Sequence, residues 1–263
     1  MSDPGTFRFV DLNVPPHRSF LSAREVGLGV LAVHRNTRRL YNDALVLLEN
    51  GRFPASVMMT ILALEEAAKP LIIGPIGILL PVPPLIAISE EGKRLPARMW
   101  RAFEDHEHKN KMTLDMHLRV GEFPPAVREA LEAIGQQAAA ETNVRMRERA
   151  TYVDCVQGAE RWSVPDAVID GGFALDLMRA ARKSLGRIPT PAQVVNGCRK
   201  SDLASQVPRD RLESFRLWAE SREAERLSET DIAEQREWIG AADAALTRIA
   251  GVAGVSREPG MPE

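Results

Sequence analysis

Hydrophobic positions recur every three to four residues along most of this chain, the spacing of helices that bury one face. The first such segment runs from about Ser22 to Glu49, with Ser22 as its expected N-cap and Gly51 as its stop. Asn36 falls on the apolar face of this segment, where a polar amide needs a hydrogen-bond partner. Two roles fit Asn36: a bond to the backbone of a neighbouring helix, or a direct catalytic role.

The second helical segment, from about Pro54 to Lys69, carries no charge until its last turns. Glu65 continues its apolar face, and Glu66 lies beside it. Lys69 follows at helical spacing and can pair with either glutamate along the helix surface. Because an unpaired carboxylate is costly to bury, two interpretations stay open: a surface ion pair, or one glutamate turned inward toward cations on another helix.

A third helical segment, from about residue 95 or 96 to 116, combines arginine, histidine, lysine and carboxylates. By the 3.6-residue period, Arg101 and His106 point about 140° apart on a regular helix, whereas Arg101 and His108 are nearly aligned. Arg101 and both histidines can therefore serve one site only if the helix is irregular or the site is shared between two chains. The two histidines diverge by about 200°, which argues against a metal site built on them.

Residues 70–89 are apolar and free of charge, and they are nearly long enough to span a membrane. Their prolines and glycines argue against a spanning helix, since proline lacks an N–H and disfavours helix in the residue before it. We expect a connector that is buried or covered by a partner, and no membrane association. Further helices are expected from about 126 to 149, from an N-cap at Asp166 to about 185, and over most of 191–250. The pattern predicts an all-α fold.

The composition narrows the function only slightly. A formal net charge of -2 over 263 residues gives no global basic field, so nucleic-acid binding would have to rest on a local patch. Residues 1–13 lack the apolar segment of a signal peptide. Cys155 and Cys198 are far apart and without metal-ligand spacing, so we expect reduced, packed thiols in a cytoplasmic protein. No cofactor and no metal are predicted.

Several short motifs follow one another along the chain in a fixed order. They are Asn36–Leu48, Gly51-Arg52-Phe53, Glu65-Glu66-x-x-Lys69, Asp105-His106-Glu107-His108-Lys109, Tyr152-Val153-Asp154, and Trp162 with Pro165. Over roughly residues 25–185, this order and spacing resemble the AbiV family of bacterial abortive-infection proteins. That family is grouped with the HEPN superfamily of helical bundles.

The resemblance implies a HEPN-like helical bundle over residues 21–186, preceded by a tail of residues 1–20 and followed by additional C-terminal helices over 187–263. Many HEPN proteins are metal-independent ribonucleases and toxins with an Arg-x(4–6)-His motif at a homodimer interface. AbiV-like proteins are implicated in phage defence by halting translation. The implied function is an anti-phage endoribonuclease that acts on RNA as a homodimer, with a phage-encoded protein as its activator. The apolar 70–89 stretch also favours a dimer.

The resemblance carries over to a small set of residues. Glu65, Glu66 and Lys69 match the acidic–lysine motif, His106 and Lys109 match His-x-x-Lys, and Arg101 with His106 or His108 fits the HEPN spacing. RNA supplies its own nucleophile, the 2′-hydroxyl, so a metal-free nuclease needs a titrating histidine, a fixed cation and an orienting polar group.

We assign these roles as a hypothesis. The acid/base role goes to His106, with His108 in reserve; Arg101 and Lys109 hold the phosphate, and Glu65, Glu66 or Asn36 orients the histidine. The basic segment 145–149 either extends the RNA-binding surface or is a solvated helix end. The alternative function is a non-catalytic helical sensor that binds a phage or host partner and blocks translation through it. In that case His106 is a core histidine, and the nearby carboxylates neutralise the cations.

Overall fold

The described part of the chain is helical apart from one antiparallel pair of two-residue strands, which confirms the all-α prediction. The computed structural model describes residues 20–80, 90–105, 109, 147–148, 150–151, 154–155, 162–199 and 207–252. The elements are α1 (Ala23–Glu49), α2 (Phe53–Ala67), α3 (Pro70–Leu79), α4 (Glu90–Glu104), β1 (Asp154–Cys155), β2 (Trp162–Ser163), α5 (Pro165–Val168), α6 (Gly171–Leu185), α7 (Pro191–Arg199), α8 (Arg209–Ala219) and α9 (Arg222–Val252).

Helix α1 begins and ends where its sequence predicts. The Ser22 hydroxyl accepts a hydrogen bond from the Glu25 backbone N–H at 3.2 Å, and the Glu25 carboxylate accepts one from the Ser22 N–H at 2.7 Å. This reciprocal arrangement is a capping box, which satisfies two donors at the start of the helix. Gly51 has a φ of 69°, the left-handed conformation that glycine adopts without steric cost after a helix.

Residues 70–79, expected to be a connector that is buried or covered by a partner, are buried and form helix α3. Pro70 stands in the first turn, where a missing N–H breaks no hydrogen bond, but Pro75 lies inside the helix and removes one. Ile72, Ile73 and Ile76 are buried in apolar clusters, so tertiary packing outweighs the poor helix propensity of this segment. This half of the apolar stretch is therefore covered within its own chain and offers no support for a dimer.

No helix among the described residues is both long enough and apolar enough to cross a membrane. Residues 81–89, the other half of the apolar stretch, lie outside the described part.

Helix α4 begins at Glu90, earlier than its predicted start near residue 95, and Pro96 stands inside it. Met99 and Trp100 pack against the cluster formed by α3 and Leu80, whereas Arg98 and Arg101 are exposed. The described residues of α4 therefore form an apolar face and a charged face. Most of the segment predicted as a helix from 126 to 149 lies outside them.

The apolar core has two main clusters, and α1 contributes to both. The N-terminal half of α1 packs with α3, α7 and α8, and its C-terminal half packs with α2, α6 and α9. Tyr41 stands at the centre of the second cluster: its hydroxyl donates to the carbonyl of Met178 at 2.9 Å, and its ring meets Trp238 edge-on at 5.2 Å. The C-terminal helix α9 thus completes a core begun by α1. The domain boundary at 186 stays a prediction.

Candidate functional site

Helix α2 places Glu65 in the protein interior, and this residue is only 2% exposed. The Nη1 atom of Arg147 lies 3.2 Å and 3.4 Å from the two carboxylate oxygens of Glu65. A buried carboxylate of this kind has to be matched by a cation. Of the two interpretations open at the end of α2, the structure places Glu65 inward, facing a cation from a distant part of the chain.

Glu66 and Lys69 form the local pair that their spacing predicts. The Lys69 Nζ atom lies 2.6 Å from a carboxylate oxygen of Glu66, and both side chains are mostly buried. The two adjacent glutamates therefore differ in what they contact. Glu66 stays with the lysine of its own segment, and Glu65 reaches Arg147.

Lys109 belongs to the same group of charges. It is only 6% exposed, which is rare for a lysine. Burial lowers the pKa of Lys109 below its ordinary value of 10.5; the charge of Glu65 acts against this shift, and the charge of Lys69 adds to it. Glu66 and Arg147 act on the same ammonium, in opposite senses. We call Glu65, Glu66, Lys69, Lys109 and Arg147 the buried charge cluster.

Two of the predicted site residues, Arg101 and Asn36, are not members of the buried charge cluster. Arg101 is exposed on α4, and backbone hydrogen bonds of helical type run from Asp105 to Arg101 at 2.8 Å and from Lys109 to Asp105 at 3.2 Å. Asn36 is half-buried, and its side-chain oxygen accepts hydrogen bonds from Arg39 of its own helix at 2.9 Å and 3.3 Å. The amide oxygen of Asn36 therefore bonds within α1. One of its two expected roles was a bond to the backbone of a neighbouring helix.

His106 and His108 lie outside the described residues, so their assigned roles stay predictions. Among the residues that are described, no group of three histidine, cysteine, aspartate or glutamate side chains is placed to hold a metal ion. The described members of the cluster are carboxylates and cations, a donor set that can bind and position a phosphate without supplying a metal site.

Arg147 is the member of the cluster that the sequence named only as part of the basic segment 145–149 and did not connect with Glu65. The basic segment 145–149 offered two interpretations, an extension of the RNA-binding surface or a solvated helix end. In the structure Arg147 pairs with a glutamate 82 positions earlier in the chain, which rules out a merely solvated arginine and leaves the RNA-binding interpretation open. Helical spacing reports only on neighbours within about one turn, so no local pattern could reveal this contact.

A second buried polar group, also missed by the sequence, joins α1 to α9. The Nδ1 atom of His34 lies 2.7 Å from Asp231, and Arg38 donates to the same carboxylate at 3.0 Å. Arg38 also contacts Glu234 at 2.6 Å. His34 and Arg38 are one turn apart, so one face of α1 presents both groups to α9.

The comparison with known families bears on the first of these two groups. A HEPN-type family model, described as AbiV, matches residues 28–186. The chain belongs to the AbiV family. No curated protein and no solved structure matches it. The matched range agrees with the resemblance over residues 25–185 and contains every member of the buried charge cluster.

AbiV family membership identifies this chain as a HEPN-type abortive-infection protein and confirms the predicted family. It also separates the two buried polar groups. The charge cluster lies wholly inside the matched range, whereas the Asp231 carboxylate lies beyond its end at residue 186. The charge cluster is therefore the group to examine for a function shared with the AbiV family.

Proposed function

We propose that this AbiV family protein is an anti-phage effector that cleaves RNA without a metal ion, as a homodimer in the cytoplasm, and so halts translation. The observation that carries the proposal is the buried charge cluster. It collects the acidic–lysine motif of α2, the lysine of the His-x-x-Lys motif, and Arg147. Cations held by carboxylates in a partly water-excluded site can bind a phosphate more strongly than they do in water.

The cluster also favours one of the two histidines. His106 precedes the buried Lys109 by three residues, the spacing that puts two side chains on one face of a helix. Arg101 and His108 share the other, charged face by the same periodicity, and Arg101 is exposed. In this proposal His106 is the acid or base that moves the 2′-hydroxyl proton, Lys109 stabilises charge on the phosphate, and Glu65 and Glu66 position the cations. His108 stays the reserve candidate.

The homodimer gives the exposed Arg101 a role. An arginine that points away from the histidine of its own helix can reach the site of a second chain across a two-fold axis. A site completed in this way meets the HEPN spacing without a bent helix. The partner that activates such a dimer is, in this proposal, a phage-encoded protein.

Cleavage of purified tRNA or total RNA in the presence of a chelator tests the nuclease. We expect cleavage by the wild type and its loss in His106→Ala and Arg101→Ala, with Arg98→Ala as the matched control because Arg98 is exposed one turn earlier on α4. If the wild type cleaves nothing, yet its expression still arrests growth of infected cells, the nuclease is wrong. The non-catalytic interaction protein then takes its place.

Subunit mixing tests the shared site. When Arg101→Ala and His106→Ala chains are unfolded together and refolded, a two-chain site restores cleavage to about a quarter of the wild-type rate, because random pairing makes half of the dimers mixed and each has one intact site. A mixture as inactive as its two components contradicts a site shared across the dimer. Light scattering that finds a monomer at micromolar concentration contradicts the dimer itself.

A further inference from the structure

We propose that Arg147 binds an RNA phosphate within its own chain, and that Glu65 is the positioning residue that holds its guanidinium ready. The inference rests on the proposed function, since it names a residue through which RNA is bound. It concerns binding, however, and can therefore be tested apart from cleavage.

The geometry of the guanidinium is the first support. In the described part of the chain, Arg147 hydrogen-bonds through its side-chain Nη1 atom alone, and both of those bonds end on Glu65. A guanidinium carries five N–H donors in a planar fork, a shape that fits two oxygens of one phosphate. The Arg147 side chain is 20% exposed, whereas that of Glu65 is 2% exposed, so the arginine is the partner of the pair that solvent reaches.

The burial of Glu65 is the second support. At 2% exposure this carboxylate is fixed in the interior, and it accepts from Arg147 with both oxygens. Holding the arginine in one orientation before the ligand arrives reduces the conformational entropy lost on binding. The pair is therefore suited to present a preorganised cation, with the ammonium of Lys109 in the same electrostatic group.

The place of Arg101 is the third support. The arginine of the HEPN spacing is exposed on the charged face of α4 and diverges from His106 by the helical period. Arg147 contacts Glu65 near the C-terminal end of α2 and shares the cluster with Lys109, which follows His106 by three residues in the sequence. Among the described residues, Arg147 is thus an arginine of the same chain that contacts the acidic–lysine motif of α2, which suits it to a phosphate bound beside Lys109.

The test measures RNA binding as a function of salt, using a single-stranded oligonucleotide with 2′-O-methyl groups that cannot be cleaved. Replacing Arg147 alone strands a buried carboxylate, which risks unfolding. We therefore compare Glu65→Gln with the double variant Glu65→Gln/Arg147→Gln. The single variant keeps the arginine, and the double variant is neutral at both positions. The control is Arg216→Gln, which removes an arginine from an exposed ion pair with Glu213.

Each phosphate contact contributes about 0.7 to the slope of log Kd against log salt for single strands. We expect the slope of the double variant to be smaller than that of Glu65→Gln by about 0.7, and its affinity at low salt to be several-fold weaker. Arg216→Gln keeps the wild-type slope. A merely structural Arg147 would change the melting temperature or the bound fraction and leave the slope unaltered, and that result overturns the inference.

The outcomes also separate this inference from the proposed function. If the wild type binds the modified RNA with an Arg147-dependent slope but cleaves no RNA, the nuclease fails and the binding residue stands. If the wild type cleaves RNA but Glu65→Gln and the double variant have equal salt slopes, the proposed role of Arg147 is wrong and the nuclease stands. A wild type that binds no RNA at any salt concentration removes both.

Discussion

The Nδ1 atom of His34 lies 2.7 Å from the Oδ2 atom of Asp231, so a buried hydrogen bond joins α1 to α9. Both residues are almost fully inaccessible. Arg38 donates to the other carboxylate oxygen at 3.0 Å, which leaves Asp231 with a partner at each oxygen. A buried carboxylate satisfied in this way is costly to disturb, because removing its charge takes one of the two carboxylates that Arg38 pairs with and leaves Glu234 alone to balance the buried guanidinium.

This arrangement makes part of the folding stability dependent on pH. Burial by itself would raise the pKa of Asp231, but the hydrogen bonds from His34 and Arg38 outweigh it and hold the pKa below its ordinary value of 3.8. The folded state then binds fewer protons at this group than the unfolded state. The resulting stability is present above the unfolded pKa and is lost as the pH falls through the folded pKa.

We expect Asp231→Asn to flatten that pH dependence. Its melting temperature should be lower than that of the wild type at neutral pH, with a loss of about 3 kcal/mol or more, and should fall less steeply below about pH 4. Melting followed by circular dichroism between neutral and acid pH measures both effects. Asp176→Asn is the control, since its surface pair with Arg179 is exposed. Parallel curves for Asp231→Asn and the wild type would contradict the role of this carboxylate.

Trp238 tests whether the C-terminal helix belongs to the core of the AbiV region. Its ring packs edge-on against the buried Tyr41, and its Nε1 donates to Asn42 at 3.0 Å. Truncation of a buried tryptophan costs about 3–5 kcal/mol, so Trp238→Ala should lose that amount in urea unfolding. Leu217→Ala, at an exposed position, should change stability by about 0.5 kcal/mol or less. If Trp238→Ala lost as little stability as Leu217→Ala, α9 would not share a core with α1.

Two glycines in helices should respond to alanine in opposite directions. A Cβ at Gly77 of α3 would overlap the buried Val26 and crowd Phe215, whereas a Cβ at Gly240 of α9 would meet nothing within 4 Å. Overpacking costs about 1–3 kcal/mol, and replacing an open helical glycine gains about 0.5–1 kcal/mol. Urea unfolding should therefore show Gly77→Ala destabilised and Gly240→Ala stabilised. Equal effects would mean that α3 and α1 are not in close contact.

We expect the charge of Lys109 to lower the stability of the fold and to be needed for RNA cleavage. Since burial lowers its pKa, the charged form is less favourable in the folded protein than in water. Lys109→Met keeps a long side chain and removes that charge, so it should raise the melting temperature at neutral pH while RNA cleavage is lost. Lys183→Met, at an exposed position of α6, should change neither. A lower melting temperature in Lys109→Met would show that the ammonium stabilises the fold.

Helix α1 was predictable from sequence because its boundaries are set by neighbours in the chain. Ser22, Glu25 and Gly51 act within one turn of its ends. The cap near residue 166 shows the limit of the same approach. Asp166 was the expected N-cap, but it lies within the short helix α5, and Asp170 caps α6 by accepting from the Phe173 N–H at 2.8 Å. Two aspartates one turn apart have the same local preference, so packing decides between them.

Helix α3 and the contact between Arg147 and Glu65 were not predicted, for a different reason. Prolines and glycines in α3 oppose a helix locally, and only its burial against other helices reverses that preference. The contact of Arg147 with Glu65 spans 82 positions, and that of His34 with Asp231 spans 197. A periodic pattern shows which side chains are buried, but it does not say which distant group each one meets.

The place of α9 in the core has a consequence for synthesis. A chain made from its N-terminus exposes the faces of α1 that carry His34 and Tyr41 before their partners on α9 exist. The parts of those faces that meet α9 stay uncovered until Asp231 and Trp238 have left the ribosome. A chain interrupted before that point ends with an open core, which proteases and chaperones recognise. The core around α1 is thus complete only after α9 has been made.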